Sequence, residues 1–186
     1  MTRCGDHPTA ARIMTATFTK TAIPDTAAGN SLATVARVAD LETFTALREE
    51  WNELLQASDS DCLFLTWEWL YTWWKHLADD RQLSILTVRS AGQLVGLAPL
   101  GLRHSSLWHR RPLPVLEFLG SGFVGSDYLD LIARRGFERE VQQAFAVFLS
   151  RKRAVLDWTN VRLGSSFAAA VVSDLVRSRW SAARRG

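Results

Sequence analysis

The chain has 186 residues, of which 47% are hydrophobic and 22% charged, a composition typical of a single globular domain. Its net charge of +3 permits an anionic ligand but falls short of the dense basic stripe of a nucleic-acid-binding protein. The two cysteines, Cys4 and Cys62, are too far apart to indicate a zinc-type pair, and no apolar run has the length of a membrane span. We therefore expect a cytoplasmic protein with no metal, no membrane span and no nucleic-acid partner.

Residues 1–31 predict a disordered leader. They are rich in threonine and alanine, contain Pro8, Pro24 and Gly29, and show no hydrophobic period. No apolar region follows the early arginines, so a secretory signal is not expected, and Met14 is as good a start as Met1.

The next elements are a strand and two helices. Residues 33–38 predict a short strand, and Asp40 is a suitable N-cap for a helix that continues to about residue 56. After a polar loop at 57–62, Thr66 can cap a second helix that ends near residue 77.

This second helix is aromatic and has two apolar faces. One face carries Trp67, Leu70, Trp74 and Leu77, and the other carries Trp69, Trp73 and His76. Such a helix is either a core helix buried on two sides, with His76 packed inside, or a helix whose second face lines a cleft or a partner interface.

The remainder alternates strands and helices. We expect a hairpin with its turn at residues 90–92 and with Pro99 at an edge or a bulge, because proline removes a ladder donor. Ser165 or Ser166 can cap the last helix. The predicted strands are 83–88, 93–103, 114–119, a short strand ending at 133, and 154–158; the predicted helices are 138–151 and the segment from 167 onward. This order predicts an α/β (α+β) fold around one mixed central sheet flanked by helices.

The best polar group for chemistry is Asp127, Tyr128 and Asp130. A carboxylate can orient an amine or take its proton, and a tyrosine hydroxyl can return a proton to a leaving thiolate. The alternative is structural: Asp127 caps a turn, Tyr128 packs, and Asp130 faces solvent. The nearby glycines at 120, 122 and 125 are a weak signal for a phosphate cradle, because no helix start follows them.

A basic loop at residues 103–111 is the other candidate surface. It contains Arg103, Arg110 and Arg111, which could recruit an anionic partner or simply be solvated. His104 and His109 have no carboxylate or cysteine companion, so the loop does not predict a metal site.

Five separated patches together resemble one family. They are Trp51, residues 64–77, the hairpin at 83–102 with Gly96, Ala98, Pro99 and Leu100 near its end, residues 118–130, and residues 155–161. In this order they resemble the N-terminal half of bacterial acyltransferases of the GNAT superfamily, of the CelD-like type named for cellulose biosynthesis and related to the Fem-type aminoacyltransferases.

The resemblance implies residues 32–180 as an N-terminal GNAT-like domain, a basic tail at 181–186, and a second GNAT-like domain that this chain lacks. Acetyl-CoA or another acyl-CoA would be the co-substrate, held by that missing domain, and the acceptor would be a small molecule or a polysaccharide-pathway compound. Trp69, Trp73, Ser126, Asp127, Tyr128 and Asp130 would face the cleft on the acceptor side. A second GNAT-like domain or a homodimer partner would complete the molecule.

Three functions therefore remain open from the sequence. The first is an acyltransferase, or its acceptor-side half, which moves an acyl group from a thioester to an amine or hydroxyl. The second is a non-catalytic substrate-binding or interaction module with a degenerate GNAT-like fold. The third is a basic adaptor for nucleic acid or membranes, supported only by the loop at 103–111 and residues 151–153.

Overall fold

The computed structural model describes residues 33–104, 113–122, 126–161 and 166–177, together with two short strands at 14–17 and 181–184. The strands are β1 (Met14–Thr17), β2 (Thr34–Val38), β3 (Gln82–Leu83), β4 (Ile85–Ser90), β5 (Gln93–Ala98), β6 (Leu100–His104), β7 (Pro114–Phe118), β8 (Ile132–Ala133), β9 (Val155–Trp158) and β10 (Ser181–Arg184). The helices are α1 (Leu41–Ala46), α2 (Arg48–Gln56), α3 (Trp67–Leu77), α4 (Glu138–Ser150) and α5 (Phe167–Arg177), with a 3₁₀ turn at Leu63–Leu65. The predicted α/β class is confirmed.

The strands form two sheets, so the prediction of one mixed sheet is wrong. One sheet has the order β10-β1-β9-β7-β6-β3 and the other has the order β2-β4-β5-β8. The break falls within the predicted hairpin, between β3 and β4 on one arm and at Pro99 on the other. Pro99 has no N–H to give to a ladder, and its carbonyl accepts from the Leu119 N–H at 2.9 Å. Pro99 therefore marks the change of sheet, not an edge.

The second arm of the hairpin pairs with two consecutive strands. β6 pairs with β7, and β5 pairs with β8, both antiparallel. The residues between β7 and β8, 119–131, leave the sheets as a loop at the point where the two sheets part. β7 also pairs with β9 in parallel.

β1 lies between β9 and β10 and pairs with both antiparallel. β1 falls inside the predicted leader, so residues 14–17 form a strand where disorder was expected, and β10 falls inside the residues predicted as a basic tail. The physical reason is that β9 offers an open row of backbone groups, which a short segment can pair with whatever its side-chain pattern.

Helix α4 packs closely on β5, and Gly96 makes this approach possible. A Cβ atom at Gly96 would lie 2.4 Å from Cγ1 of Val141 and 3.1 Å from Cβ of Val88. The glycine of the hairpin is therefore a packing requirement between α4 and the sheet.

Helix α3 buries one stripe instead of two separate faces. Trp67, Leu70 and Trp73 are buried, and its exposed positions are Glu68, Thr72, Lys75 and His76. The prediction that His76 is a packed core residue is wrong, because the polar positions three and four apart gather on the side that faces water.

Buried tryptophan side chains of the aromatic core connect α1, α2 and α3 by hydrogen bonds. The Trp51 Nε1–H donates to the Leu65 carbonyl at 2.8 Å, and the Trp67 Nε1–H donates to the Phe44 carbonyl at 2.9 Å. Each indole thus buries its ring while its one donor is satisfied.

The predicted caps at Asp40 and Thr66 are confirmed. Oδ1 of Asp40 accepts from the Thr43 N–H at 2.7 Å, and Oγ1 of Thr66 accepts from the Trp69 N–H at 3.4 Å. Within the described residues, no helix has the length and apolar character needed to cross a membrane.

Candidate functional site

The candidate site lies at the carboxyl ends of the parallel strands β7 and β9. The two loops that follow these strands meet there: the Leu129 N–H donates to the Asn160 carbonyl at 2.9 Å, and Leu129 forms an isolated parallel bridge with Val161. In sheets with parallel strands, ligands bind in the crevice beyond the carboxyl ends, where loops carry the functional side chains.

Two of the predicted site residues hold the first loop against α3. The Trp69 Nε1–H donates to Oγ of the fully buried Ser126 at 3.0 Å. Gly120 has a φ of +87°, and a Cβ atom there would lie 3.0 Å from this Oγ. A side chain at Gly120 would therefore push on the Trp69–Ser126 contact.

Asp127 and Tyr128 follow directly after Ser126 in this loop. Asp127 is exposed and Tyr128 is half-buried. Tyr128 has a φ of +59°, and Asn160, on the neighbouring loop, has a φ of +60°. A bulky residue in the left-handed region costs free energy, and such residues concentrate at functional sites where the surrounding structure holds them.

Asp130 is buried at 5% exposure and is the remote cap of helix α5. Its Oδ1 accepts from the N–H groups of Leu131 at 2.8 Å and Ala168 at 2.6 Å and from the Ser166 hydroxyl at 3.0 Å. Its Oδ2 accepts from the Phe167 N–H at 2.9 Å. Burial raises the pKa of the Asp130 carboxyl, although each of these hydrogen bonds acts to lower it.

These contacts correct both expectations for Asp130, since the side chain neither faces solvent nor faces a cleft. They also confirm Ser166 as a cap, because its Oγ accepts from the Ala169 N–H at 3.3 Å. Ser165 lies outside the described residues, as does Gly125.

Trp73 is also removed from the candidate site, because it is buried at 4% exposure under a charged group. The Arg81 guanidinium lies 5.5 Å from the centroid of the Trp73 ring and donates to the Glu117 carboxylate. Arg103 donates to Glu117 at 3.1 Å and to Asp157 at 3.2 Å.

Glu117 was not predicted from the sequence, although a signal was present. A glutamate within the otherwise apolar strand β7 implies a paired, buried charge. The ion pair with Glu117 also corrects one part of the basic-loop prediction. Arg103 binds carboxylates of the protein itself instead of an external anion or solvent. His104 is exposed, and residues 105–112 lie outside the described residues.

A carboxylate closes the N-terminus of α5, where Asp130 accepts from the N–H groups of Phe167 and Ala168. At α4 both oxygens of Glu138 accept from the Gly136 N–H, at 3.0 and 2.9 Å, but this group lies before the helix, and the N-cap Phe137 makes no side-chain cap hydrogen bond. Anionic ligands bind at helix N-termini through free backbone N–H groups, so a phosphate at the N-terminus of α5 would compete with a resident carboxylate.

Among the described residues, no group of three histidine, cysteine, aspartate or glutamate side chains is placed to hold a metal ion. Of the predicted site residues, the structure brings together Trp69, Ser126, Asp127 and Tyr128 and places Trp73 and Asp130 elsewhere. Comparisons with models of protein families, with curated proteins and with solved structures found no match to this chain.

Proposed function

We propose that this chain is the acceptor-side half of a GNAT-like acyltransferase. The proposal starts from the sequence resemblance, and one structural observation supports it most: the exposed Asp127 and the half-buried, strained Tyr128 are adjacent on a pinned loop at the carboxyl ends of a parallel strand pair. The loop is held on one side by Ser126 and Trp69, so the polar groups beside it are preorganised.

In the proposed reaction, an amine or hydroxyl of the acceptor attacks the carbonyl carbon of an acyl thioester. A new C–N or C–O bond forms, the C–S bond breaks, and the thiolate leaves. Asp127 orients the acceptor and takes its proton, and the Tyr128 hydroxyl returns a proton to the thiolate. Positioning carries most of the rate enhancement, because no covalent intermediate with the protein is required.

The donor is acetyl-CoA or another acyl-CoA, and we place its pyrophosphate on a second GNAT-like domain or a partner chain. The N-terminus of α5, which Asp130 closes, supports this division of roles. The same observation favours the second candidate function, a non-catalytic substrate-binding module that retains the fold without a donor site.

A thermal-shift titration distinguishes these functions. We expect no saturable shift with acetyl-CoA alone and a saturable shift with some member of a panel of primary amines and amino alcohols. A ligand at about 100 times its dissociation constant adds about 2.7 kcal/mol, which raises the melting temperature by about 5–10 °C for a chain of this length. A saturable shift with acetyl-CoA would contradict the acceptor-side assignment.

The variant Asp127→Asn makes the test specific to the site. We expect it to remove the amine-induced shift while leaving the melting temperature of the free protein unchanged, because Asp127 is exposed. Glu49→Gln is a matched control, since Glu49 is an exposed carboxylate on α2. An equal loss in both variants would mean that the amine binds through general surface charge.

A further inference from the structure

The outer side of helix α4 carries an apolar stripe with a negative charge at one end and a positive charge at the other. Glu140, Ala144, Val147 and Arg151 lie at i, i+4, i+7 and i+11, so they follow one side of the helix. Val147 is 51% exposed and Arg151 is exposed, while Glu140 and Ala144 are half-buried. We call these four residues the α4 stripe, and its central apolar part faces solvent.

The α4 stripe lines a broad, open groove. The groove has a volume of about 1330 Å³, and Val35 and Phe148 add apolar surface beside the stripe. Pockets for small ligands have volumes of roughly 300–1,000 Å³, so this groove is larger than such a ligand needs. A helical segment of three turns, about 10 Å across and 16 Å long, has a comparable volume. The groove therefore has the size to take a second helix beside α4.

The groove carries charges of both signs. Glu140 lies in the first turn of α4 and Arg151 follows its last turn, so the two are about 16 Å apart along the helix and cannot pair with each other. Neither has an ion-pair partner among the residues that the structure describes. Arg139 is exposed beside the stripe, and Arg177 is paired with Asp174. A partner with both signs in the complementary order fits this pattern better than a partner of one sign.

The α4 stripe is complementary to itself. Its spacings of four, three and four residues are the same when read from either end. A two-fold axis between residues 145 and 146 therefore brings Glu140 of one copy opposite Arg151 of a second copy, and does so twice. The same axis places the small Ala144 opposite the larger Val147, which allows two helices to pack closely. A surface with this property can form the isologous interface of a symmetric dimer.

We propose that the chain forms a two-fold symmetric dimer in which the α4 stripes of two copies pack antiparallel. The two Val147 side chains lie near the centre of the interface, and a Glu140–Arg151 ion pair closes each end. The antiparallel arrangement also sets the positive end of each helix dipole beside the negative end of the other. This interface shares no residue with the candidate acceptor site and does not depend on the proposed acyl transfer.

Sedimentation velocity of the full chain tests the proposal. Because an interface built on one helix lies at the small end of the size range, we expect reversible dimerisation with a dissociation constant of about 1–100 μM. Glu140→Arg or Arg151→Glu alone creates two pairs of like charges across the axis, and we expect each to weaken dimerisation about tenfold or more. The double variant Glu140→Arg/Arg151→Glu exchanges the charges and should recover dimerisation to within about threefold of the wild-type protein.

The recovery is specific to contact between copies, because residues 140 and 151 are too far apart to pair within one chain. Matched controls are Glu49→Arg, an exposed carboxylate on α2, and Arg153→Glu, an exposed arginine near the end of α4 that does not line the groove. We expect each control to change the dissociation constant by less than about twofold.

Val147→Ser tests the apolar centre without a change of charge. We expect it to weaken dimerisation about tenfold, because two exposed valines lose their burial in each dimer. The melting temperature of dilute protein shows that each variant is folded. A chain that stays monomeric up to about 1 mM, a dimer that neither charge reversal weakens, or a double variant that does not recover would each overturn the proposal.

Discussion

Asp130 and Glu117 are two buried carboxylates, each 5% exposed, that the fold satisfies in opposite ways. Around Asp130 all four donors are neutral groups, three of them backbone N–H. Around Glu117 the donors are two guanidinium groups, and one of these continues to Asp157. Neutral donors fix where a helix begins, whereas charged donors tie neighbouring strands of a sheet together and depend on one another for charge balance.

The largest effect is expected at the helix cap. We predict that Asp130→Ala lowers the free energy of unfolding by about 3 kcal/mol, because an N-cap is worth up to about 2 kcal/mol and the stranded buried donors add to this. Urea denaturation measures the change. The control is Asp127→Ala, an exposed carboxylate on the same loop, for which we expect a change within about 0.5 kcal/mol. Equal losses would mean that the difference in burial between Asp130 and Asp127 does not determine how much each contributes to stability.

The role of Asp130 was beyond sequence reasoning for a physical reason. Its partners on α5 lie 36 to 38 residues further along the chain, so no local spacing reports the contact. Caps within one turn, at Asp40 and Thr66, were predicted correctly because donor and acceptor are three residues apart.

The same distinction holds for the larger elements. Periodicity and turn residues were sufficient for the hairpin, whose turn contains Ala91 and Gly92 with positive φ. They were not sufficient to divide the strands into two sheets, because that division depends on which strands pair with β5 and β6 across the molecule. The sequence of α3 has tryptophan on several sides of the helix, so it did not determine which stripe is buried. That depends on the elements that pack around the helix.

At the candidate site, the sequence was sufficient for the chemical types but not for their arrangement. It identified Asp127, Tyr128 and Asp130 as one group and the resemblance added Ser126, yet neighbouring residues in a loop point in different directions. The fold buries Ser126 and Asp130 as supports and leaves Asp127 exposed. Long-range contacts separate the supports from the exposed surface: Ser126 accepts from Trp69, and Asp130 accepts from the start of α5.

A somewhat smaller loss of stability is expected at the charged cluster of Glu117, Arg81, Arg103 and Asp157. The physical origin of this loss can be separated from that of the loss at the helix cap. We predict that Glu117→Ala costs about 2 kcal/mol, less than a fully buried pair, because Arg103 is about one-third exposed and retains Asp157. The cost arises from stranded cations, so Glu117→Leu combined with Arg81→Met should recover most of it. Urea denaturation of the single and double variants tests this, and an unrecovered loss would show that Glu117 acts mainly through packing.

The pH dependence of stability sharpens the comparison further. The pKa of Asp130 is raised above its ordinary value of 3.8, so between 3.8 and the raised pKa the folded protein holds a proton that the unfolded chain has lost. The contribution of Asp130 to the free energy of unfolding therefore falls as pH rises through this window and is constant above it. Other carboxyls, such as Glu50 and Asp174, have lowered pKa values and contribute the opposite trend.

The variant Asp130→Asn isolates the contribution of Asp130 to this pH dependence from the contributions of the other carboxyls. We expect the stability of the wild-type protein relative to Asp130→Asn to decrease as the pH rises from about 3.8 through the raised pKa of Asp130. Urea denaturation of both proteins across this range measures the difference. A difference that increases with pH would mean that the four hydrogen bonds outweigh burial and that the pKa is lowered instead.

The smallest effect is expected where a neutral contact is only partly buried. Trp69 is half-buried, so in Ser126→Ala its indole N–H can turn to water, and the loss should be about 1 kcal/mol. A double-mutant cycle with Trp69→Phe should give a coupling energy of about 0.5–1 kcal/mol for the hydrogen bond alone. Because this contact pins the loop that carries Asp127, either single variant should weaken amine binding more than it lowers stability. A coupling energy near zero would mean that the loop is held by Gly120 and the backbone, and that Trp69 is free to contact the acceptor.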